Sequence, residues 1–155
     1  MRRARLAALL ALALPACVHA ASLTALSAAD VPALLKPPAR GERIIALWAL
    51  DCAYCEANLR ALAGLQHAHP GEIELVPVAT DDIAQRDALE QRLQQAGVAG
   101  YPARAYAEAT PDRLDYLIDP RWGGETPRTL VIRADGTRLG ISGALSAAGL
   151  RKLQP

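Results

Sequence analysis

The chain has 155 residues, of which 52% are hydrophobic and 21% are charged. That length suits one domain with a buried core, and the composition is globular rather than disordered. The 17 basic and 16 acidic residues give a formal net charge of +1, so there is no basic excess that would indicate nucleic-acid binding. Three cysteines are too few for a small scaffold held together by disulfides.

The first twenty residues are typical of a secretory signal peptide. A basic start, Met1–Arg5, precedes a run of alanine and leucine over Leu6–Leu14. Small residues at Val18 and Ala20 fit cleavage after Ala20. The apolar run is shorter than a membrane-spanning helix needs. We therefore expect export to an oxidising compartment, in which a cysteine pair can form a disulfide.

The same segment contains an alternative, a bacterial lipobox. Leu14–Cys17 resembles that motif, in which Cys17 would become the lipidated first residue. Proline is unusual within a lipobox, so ordinary cleavage is favoured. Removal of residues 1–20 takes away three arginines and leaves 14 basic and 16 acidic residues, a net charge of −2.

Residues 21–40 are expected to form an extended leader ahead of a domain that spans 41–155. Two consecutive prolines, Pro37 and Pro38, disfavour regular structure near the end of this leader. Arg43–Trp48 follows as a nearly continuous apolar run. Such a run is typical of a strand that is buried on both faces of a parallel sheet.

The next segments are predicted to alternate between helix and strand. The apolar spacing predicts a helix from Cys55 to about Gln66, and a second strand follows over Glu72–Ala79. Pro77 within that strand indicates a sheet edge or a strand end, since proline cannot donate to a ladder. A second helix is predicted to begin at Asp81–Asp82 and to stop at Gly97.

Irregular sequence follows this helix over 101–125, where a short strand is expected at Leu114–Ile118. Two further strands, Thr129–Ile132 and Arg138–Ile141, flank Asp135-Gly136. An Asp-Gly pair between two apolar runs is a strong hairpin signal.

A closing helix is predicted over Ser146–Leu153. The element order is then β-α-β-α-insert-β-β-α, with parallel crossovers first and an antiparallel hairpin last. This order predicts an α/β fold in which a mixed central sheet is flanked by helices and interrupted by a central insert.

Cys52 and Cys55 form a Cys-Ala-Tyr-Cys motif between the first apolar strand and the helix that follows it. Unpaired N–H groups and the helix dipole stabilise negative charge at a helix N-terminus. This position favours the thiolate, which is the nucleophile in disulfide exchange. Cys52 is therefore the candidate nucleophile, and Cys55, one turn along the helix, is the candidate resolving thiol.

Two other interpretations of the pair fit less well. In a structural zinc site with four ligands, the remaining candidates would be His67 and His69, which one residue separates instead of the usual three to five. A purely structural disulfide would close too small a loop to add much chain-entropy stabilisation. Redox exchange is favoured, and a metallochaperone that holds Cu(I) or Zn(II) on the same cysteines remains the alternative.

Together these features resemble the thioredoxin superfamily. Leu47–Cys52 is similar to the strand-end motif of the TlpA-like periplasmic thiol–disulfide oxidoreductases. Gly124–Pro127, followed by Thr129–Ile132 and Asp135-Gly136, is similar to their second signature. The resemblance covers about residues 40–153. It implies a thioredoxin-like fold and an exported enzyme that exchanges disulfides with protein substrates, needs no dissociable cofactor and draws electrons from a membrane-bound donor.

The resemblance also implies roles for individual residues. Pro127 would be cis and face the cysteine pair, Thr126 would offer backbone groups to a bound client chain, and Trp48 would pack beneath the active-site loop. Taken alone, Trp48 is explained equally well as an ordinary core aromatic. Tyr54 completes an Ala-Tyr dipeptide that is closer to the Gly-Tyr or Pro-Tyr of periplasmic isomerase-type proteins, which makes it a candidate for tuning the site.

The sequence departs from the family pattern at three positions. Asp51 stands where the family usually has tryptophan. Its carboxylate disfavours the Cys52 thiolate by like-charge repulsion, which makes the dithiol a better reductant. Asn58 stands where family reductases often carry a glutamate as proton acceptor, and Ala46 where cytoplasmic thioredoxins carry a buried acid. The sequence therefore favours reduction over oxidation and identifies no proton acceptor for the resolving cysteine.

Overall fold

The computed structural model describes residues 23–155, so the signal segment and Cys17 lie outside the described residues. The strands are β1 (Thr24–Leu26), β2 (Glu42–Trp48), β3 (Ile73–Asp82), β4 (Arg104–Tyr106), β5 (Arg128–Arg133) and β6 (Arg138–Ser142). The helices are α1 (Val31–Leu34), α2 (Cys55–Ala68), α3 (Arg86–Gln95), α4 (Pro111–Ile118) and α5 (Ala147–Arg151), and a 3-10 turn (Ile83–Gln85) precedes α3. None of these helices has the length and apolar character that crossing a bilayer requires.

The six strands form one mixed sheet in the order β1-β4-β3-β2-β5-β6. β2 is central, because it pairs parallel with β3 on one side and antiparallel with β5 on the other. β5 and β6 form the expected hairpin, in which Gly136 adopts the left-handed φ of 84° that the turn requires. The predicted α/β fold, with a mixed central sheet flanked by helices, is confirmed.

The expectation of an extended leader over residues 21–40 is wrong for its described part. β1 pairs parallel with β4 at the edge of the sheet, and Val31 and Leu34 of α1 are buried. Pro37 and Pro38 follow α1 and disfavour its continuation. Only three residues of β1 enter the sheet, which is too few to produce a readable alternation of apolar and polar residues.

One other local expectation is also wrong. Leu114–Ile118 is the second half of α4 and not a strand. Its buried residues, Leu114 and Ile118, are four positions apart and therefore lie on one face of the helix. Pro77 was expected at a sheet edge or a strand end, and it occupies a stretch of β3 that pairs with β2 alone, as at an edge. β4 joins β3 only from Val78 onward, so the proline precedes the part of β3 that is paired on both sides.

Each face of the sheet packs against a separate apolar core. On one face, Ile44 and Trp48 of β2 pack with residues of α2 and α3 such as Leu59 and Leu89. On the other face, Ile45 and Leu47 pack with residues of α1 and α4. Because both faces of β2 are covered, its apolar run is continuous instead of alternating.

The register between β2 and β5 positions the candidate site. Leu47, near the end of β2, pairs with Arg128, the first residue of β5. The loop that leaves β2 and the loop that enters β5 therefore meet at one edge of the sheet, although more than seventy residues separate them in sequence.

Glu42 gives a prediction about stability. It is 1% exposed, neither carboxylate oxygen has a hydrogen-bond partner within residues 23–155, and the Nε of Arg133 lies 3.5 Å away. Burial raises the pKa of Glu42, an effect that Arg133 and His69 oppose in part. A carboxyl whose pKa is raised on folding binds its proton more tightly in the folded chain, so stability falls as the pH rises above the ordinary value.

We therefore expect Glu42→Gln to increase the free energy of unfolding at pH 8, by on the order of 1 kcal/mol, because the amide carries no buried charge. The gain should shrink at pH 4.5, where the wild-type carboxyl takes up its proton. Urea unfolding at both pH values measures the effect, with Glu90→Gln on an exposed face of α3 as the control. Destabilisation of Glu42→Gln at pH 8 would show that the attraction of Arg133 exceeds the cost of burial.

Candidate active site

A disulfide joins Cys52 and Cys55 where β2 gives way to α2. The Cys52 N–H donates to the Ala49 carbonyl and the Cys55 N–H donates to the Cys52 carbonyl, which folds the intervening chain into a turn. Cys52 is partly exposed, whereas Cys55 opens the helix and is 1% exposed. A partner protein can therefore reach the first sulfur but not the second.

Trp48 lies directly behind the pair. It is fully buried in the core that also contains Cys55 and Leu59. The same tryptophan lines a narrow cleft together with Cys55 and Pro127. Trp48 is therefore both a core aromatic and a residue that packs beneath the active-site loop, because the core extends up to the buried Cys55.

Thr126 and Pro127 immediately precede β5, and Pro127 lines the same cleft as Cys55. Their peptide bond is cis, as the resemblance implied. Pro127 is buried against the cleft, and its carbonyl accepts a hydrogen bond from the Gly143 N–H at 2.8 Å. Thr126 is partly exposed. Within residues 23–155, neither its N–H nor its carbonyl is bonded to another backbone group, so both remain open to an added strand.

An ion pair holds the segment that leads into the cis proline, here called the cis-proline loop (residues 119–127). Asp119 is 4% exposed and accepts a 2.6 Å hydrogen bond from Nη2 of Arg128. Burial alone would raise the pKa of Asp119, but the hydrogen bonds from Arg128 and Arg121 and their positive charges hold it below its usual value. Asp119 was not identified from the sequence, because nothing in the local pattern shows that it faces an arginine nine positions later.

Two further contacts complete the loop. The indole N–H of Trp122 donates to the Glu125 carbonyl at 2.7 Å, and the Glu125 carboxylate accepts from the Ser142 hydroxyl. Trp122 is buried in the core on the α4 face of the sheet. Trp122 therefore anchors the cis-proline loop to that core.

The residues expected to tune the pair are both exposed. Tyr54, between the cysteines, is 64% exposed, and Asp51 precedes Cys52 on the same surface. Asp81 brings a second carboxylate to this region, since its Oδ2 accepts from the Leu50 N–H at 2.9 Å. The turn that carries Cys52 is therefore flanked by acidic groups.

Two strand arginines that could offset this charge, Arg43 and Arg128, are not placed to do so. Arg43 is bound to Glu74 and to carbonyls at the end of α1, near the opposite end of β2. The Arg128 side chain lies on the face of the sheet that packs against α1 and α4, opposite the face of Cys55. There its guanidinium donates hydrogen bonds to Asp119 and to the Ser142 hydroxyl.

The histidines lie far from the cysteine pair. His67 is in the last turn of the 14-residue helix α2 and His69 follows its end, so about 20 Å separates them from Cys55 at 1.5 Å per residue. Among residues 23–155, no three His, Cys, Asp or Glu side chains are grouped closely enough to hold a metal ion. A zinc site that combines the cysteines with these histidines does not fit this arrangement.

Searches against protein-family models and against curated proteins found no match. Solved structures do resemble the chain. A secreted Mycobacterium tuberculosis disulfide oxidoreductase homologous to E. coli DsbE is 19% identical, with a TM-score of 0.56 over 73% of this chain and 79% of that one. A thioredoxin-related protein from Neisseria meningitidis serogroup B is 25% identical, with a TM-score of 0.56 over 74% and 82%. StoA from Bacillus subtilis is 16% identical, with a TM-score of 0.53 over 76% and 84%.

These likenesses establish that the fold is thioredoxin-like. The solved structures that resemble the chain include disulfide oxidoreductases by name, and this chain carries a disulfide-bonded Cys-Ala-Tyr-Cys motif.

The ion pair of the cis-proline loop gives a second stability prediction. Asp119→Ala leaves Arg128 buried without its partner, so we expect a loss of roughly 3 kcal/mol in the free energy of unfolding at pH 7. Because folding lowers the pKa of Asp119, its contribution is present above the ordinary value and is lost as the pH falls through the folded value. Urea unfolding at pH 7 and pH 3.5 should therefore show a smaller difference between variant and wild type at the lower pH.

The matched control is Asp112→Ala, on the exposed side of α4. It should change stability by no more than about 0.5 kcal/mol. If Asp119→Ala proves no more destabilising than this control, the ion pair does not hold the loop.

Proposed function

We propose that this protein is an exported thiol–disulfide oxidoreductase that exchanges electrons between the Cys52–Cys55 pair and protein clients. One observation carries the proposal: a disulfide with one reachable and one buried sulfur lies beside a cis proline whose neighbour, Thr126, has open backbone groups. A structural disulfide needs neither the unequal burial nor the open edge. Residues 1–20 and the secreted protein among the similar structures support export.

The exchange proceeds through a mixed disulfide. In the reducing direction, the Cys52 thiolate attacks one sulfur of a client disulfide, and the other client sulfur leaves as a thiolate. Cys55 then loses its proton and its sulfur attacks Cys52, which releases the second client thiolate. Two electrons pass to the client, and the Cys52–Cys55 disulfide re-forms. A second dithiol protein, proposed to be a membrane-bound donor, returns the pair to the reduced form.

Thr126 supplies the docking edge for the client. Its N–H and carbonyl can pair with an extended client segment as an added strand would. Tyr54 stands exposed beside Cys52 and offers an aromatic surface to the same segment. Backbone pairing recognises no particular side chain, so this edge suits a range of protein clients.

The electrostatics of the turn favour the reducing direction. The carboxylates of Asp51 and Asp81 disfavour the Cys52 thiolate, and neither Arg43 nor Arg128 is placed to compensate. A thiolate that is poorly stabilised makes the reduced form less favourable, so the dithiol gives up its electrons more readily. A periplasmic reductase released after Ala20 is the form proposed, with lipid attachment through Cys17 as the minor alternative.

Cysteine variants test the exchange itself. Cys55→Ser should accumulate a mixed disulfide between Cys52 and a disulfide-bonded client such as insulin, because the resolving thiol is missing. Cys52→Ser should form no such adduct, since Cys55 is buried. Non-reducing electrophoresis and mass spectrometry detect the adduct. Absence of exchange in the wild type, together with tight stoichiometric binding of Cu(I) or Zn(II) by the reduced protein, would favour the metallochaperone instead.

The reduction potential tests the direction. We expect a value on the reducing side, near the roughly −270 mV of thioredoxin, and a value above about −180 mV would contradict a reductase. Asp51→Asn should raise the potential by roughly 10–30 mV, because removal of the carboxylate eases formation of the Cys52 thiolate. Equilibration with dithiothreitol redox buffers measures both, with Asp87→Asn on the exposed face of α3 as a control that should leave the potential unchanged.

A further inference from the structure

Asn58 is a buried side chain whose hydrogen-bonding groups are both used. It lies on α2, three residues after Cys55, and is 5% exposed. Its Nδ2 donates to the Gly143 carbonyl at 3.0 Å, and its Oδ1 accepts from the Leu145 N–H at 2.9 Å. The amide therefore ties the helix that carries the buried cysteine to the segment between β6 and α5.

Gly143 links Asn58 to the cis proline through hydrogen bonds on both sides of its backbone. Its carbonyl accepts from Asn58, and its own N–H donates to the Pro127 carbonyl at 2.8 Å. Gly143 adopts a left-handed φ of 84°, which an L side chain rarely adopts. Two hydrogen bonds and one glycine thus connect the start of α2 with the proline that faces the cysteine pair.

We propose that Asn58 is a positioning residue that sets the cis-proline loop against the Cys52–Cys55 pair for protein clients. This inference rests on the proposed function and extends it. The Asn58 amide makes no hydrogen bond to either sulfur within residues 23–155, although it lines the same cleft as Cys55 and Pro127. It acts through Gly143 and Pro127 on the place of Thr126, where a client strand pairs, so it controls docked protein substrates and not the intrinsic reactivity of Cys52.

The chemistry of the contact requires an amide. Gly143 presents an oxygen that needs a donor and Leu145 presents an N–H that needs an acceptor, and an asparagine supplies both at once. An ionised carboxylate supplies only acceptors and would repel the Gly143 carbonyl. A protonated carboxyl group again has one donor and one acceptor.

This requirement gives a test in which two substrates are compared. The rate constant for a protein disulfide such as insulin depends on docking at Thr126, whereas the rate constant for a small disulfide such as 5,5′-dithiobis(2-nitrobenzoate) does not. Asn58→Leu should lower the protein rate about tenfold, since a pair of buried hydrogen bonds is lost. The small-disulfide rate should stay within about twofold of wild type.

Gln66→Leu is the matched control. Gln66 lies on the same helix and its Oε1 accepts from the Leu75 N–H at 2.6 Å, but it is eleven positions from Cys55. Its loss should reduce stability without changing the ratio of the two rates. If Asn58→Leu and Gln66→Leu give the same ratio as wild type, Asn58 has no positioning role.

Asn58→Asp provides a rescue that depends on pH. The rates are measured in the Cys55→Ser background, where no resolving step needs a proton acceptor. At pH 8 the carboxylate breaks the Gly143 contact, so the ratio of protein rate to small-disulfide rate should fall relative to Cys55→Ser alone. Burial favours the protonated form, so this ratio should recover toward the value of Cys55→Ser alone as the pH is lowered to 5. A ratio that is independent of pH would overturn the proposal.

Amide hydrogen exchange separates failure of this inference from failure of the proposed function. Asn58→Leu should speed exchange at the Gly143 N–H, and Gln66→Leu should not, whether or not the wild type reacts with any disulfide. Unchanged protection of Gly143 in Asn58→Leu would contradict the connection. Faster exchange at Gly143 in Asn58→Leu, combined with a wild type that reacts with no disulfide, would leave the connection in place and remove the function.

Discussion

The antiparallel pairing of β2 with β5 is the constraint on which the candidate site depends. Because Leu47 lies opposite Arg128, the turn that carries Cys52 and the cis proline before β5 meet at one edge of the sheet. A slip of one residue would exchange the two faces of β5. It would carry the Arg128 guanidinium to the face of Cys55 and away from Asp119, and so remove the ion pair that holds the cis-proline loop.

The same sheet gives the two sulfurs different environments. Cys55 begins the helix that covers the core, so Trp48 and Leu59 bury it. Cys52 lies three residues earlier, in a partly exposed turn that the carboxylates of Asp51 and Asp81 flank. Burial disfavours a thiolate and reaction with large partners. The proposed division between an attacking Cys52 and a resolving Cys55 therefore rests on where β2 ends and α2 begins. In the same proposal, the asparagine that ties α2 to Gly143 keeps the cis proline in place opposite the pair.

Local patterns predicted much of this arrangement, and the misses came from contacts distant in sequence. The apolar run of β2, the Cys-Ala-Tyr-Cys motif and the Asp135-Gly136 hairpin each carry their signal within a few residues. β1 joins the sheet only through β4, about eighty residues away, and Leu114–Ile118 is too short for its helical period to be distinguished from a strand. In the sequence, Asn58 is notable only because it replaces the glutamate that family reductases often carry. Its proposed role as a connector depends on Gly143, which only the folded chain brings to it.

The unequal exposure of the two sulfurs is tested most directly by alkylation of the reduced protein. Iodoacetamide applied in limiting amounts, followed by mass spectrometry of peptides, gives the modification rate of each cysteine. We expect Cys52 to react at least about tenfold faster than Cys55, because only its thiol is accessible. Equal rates, or faster modification of Cys55, would contradict the assignment of Cys52 as the sulfur that meets the client.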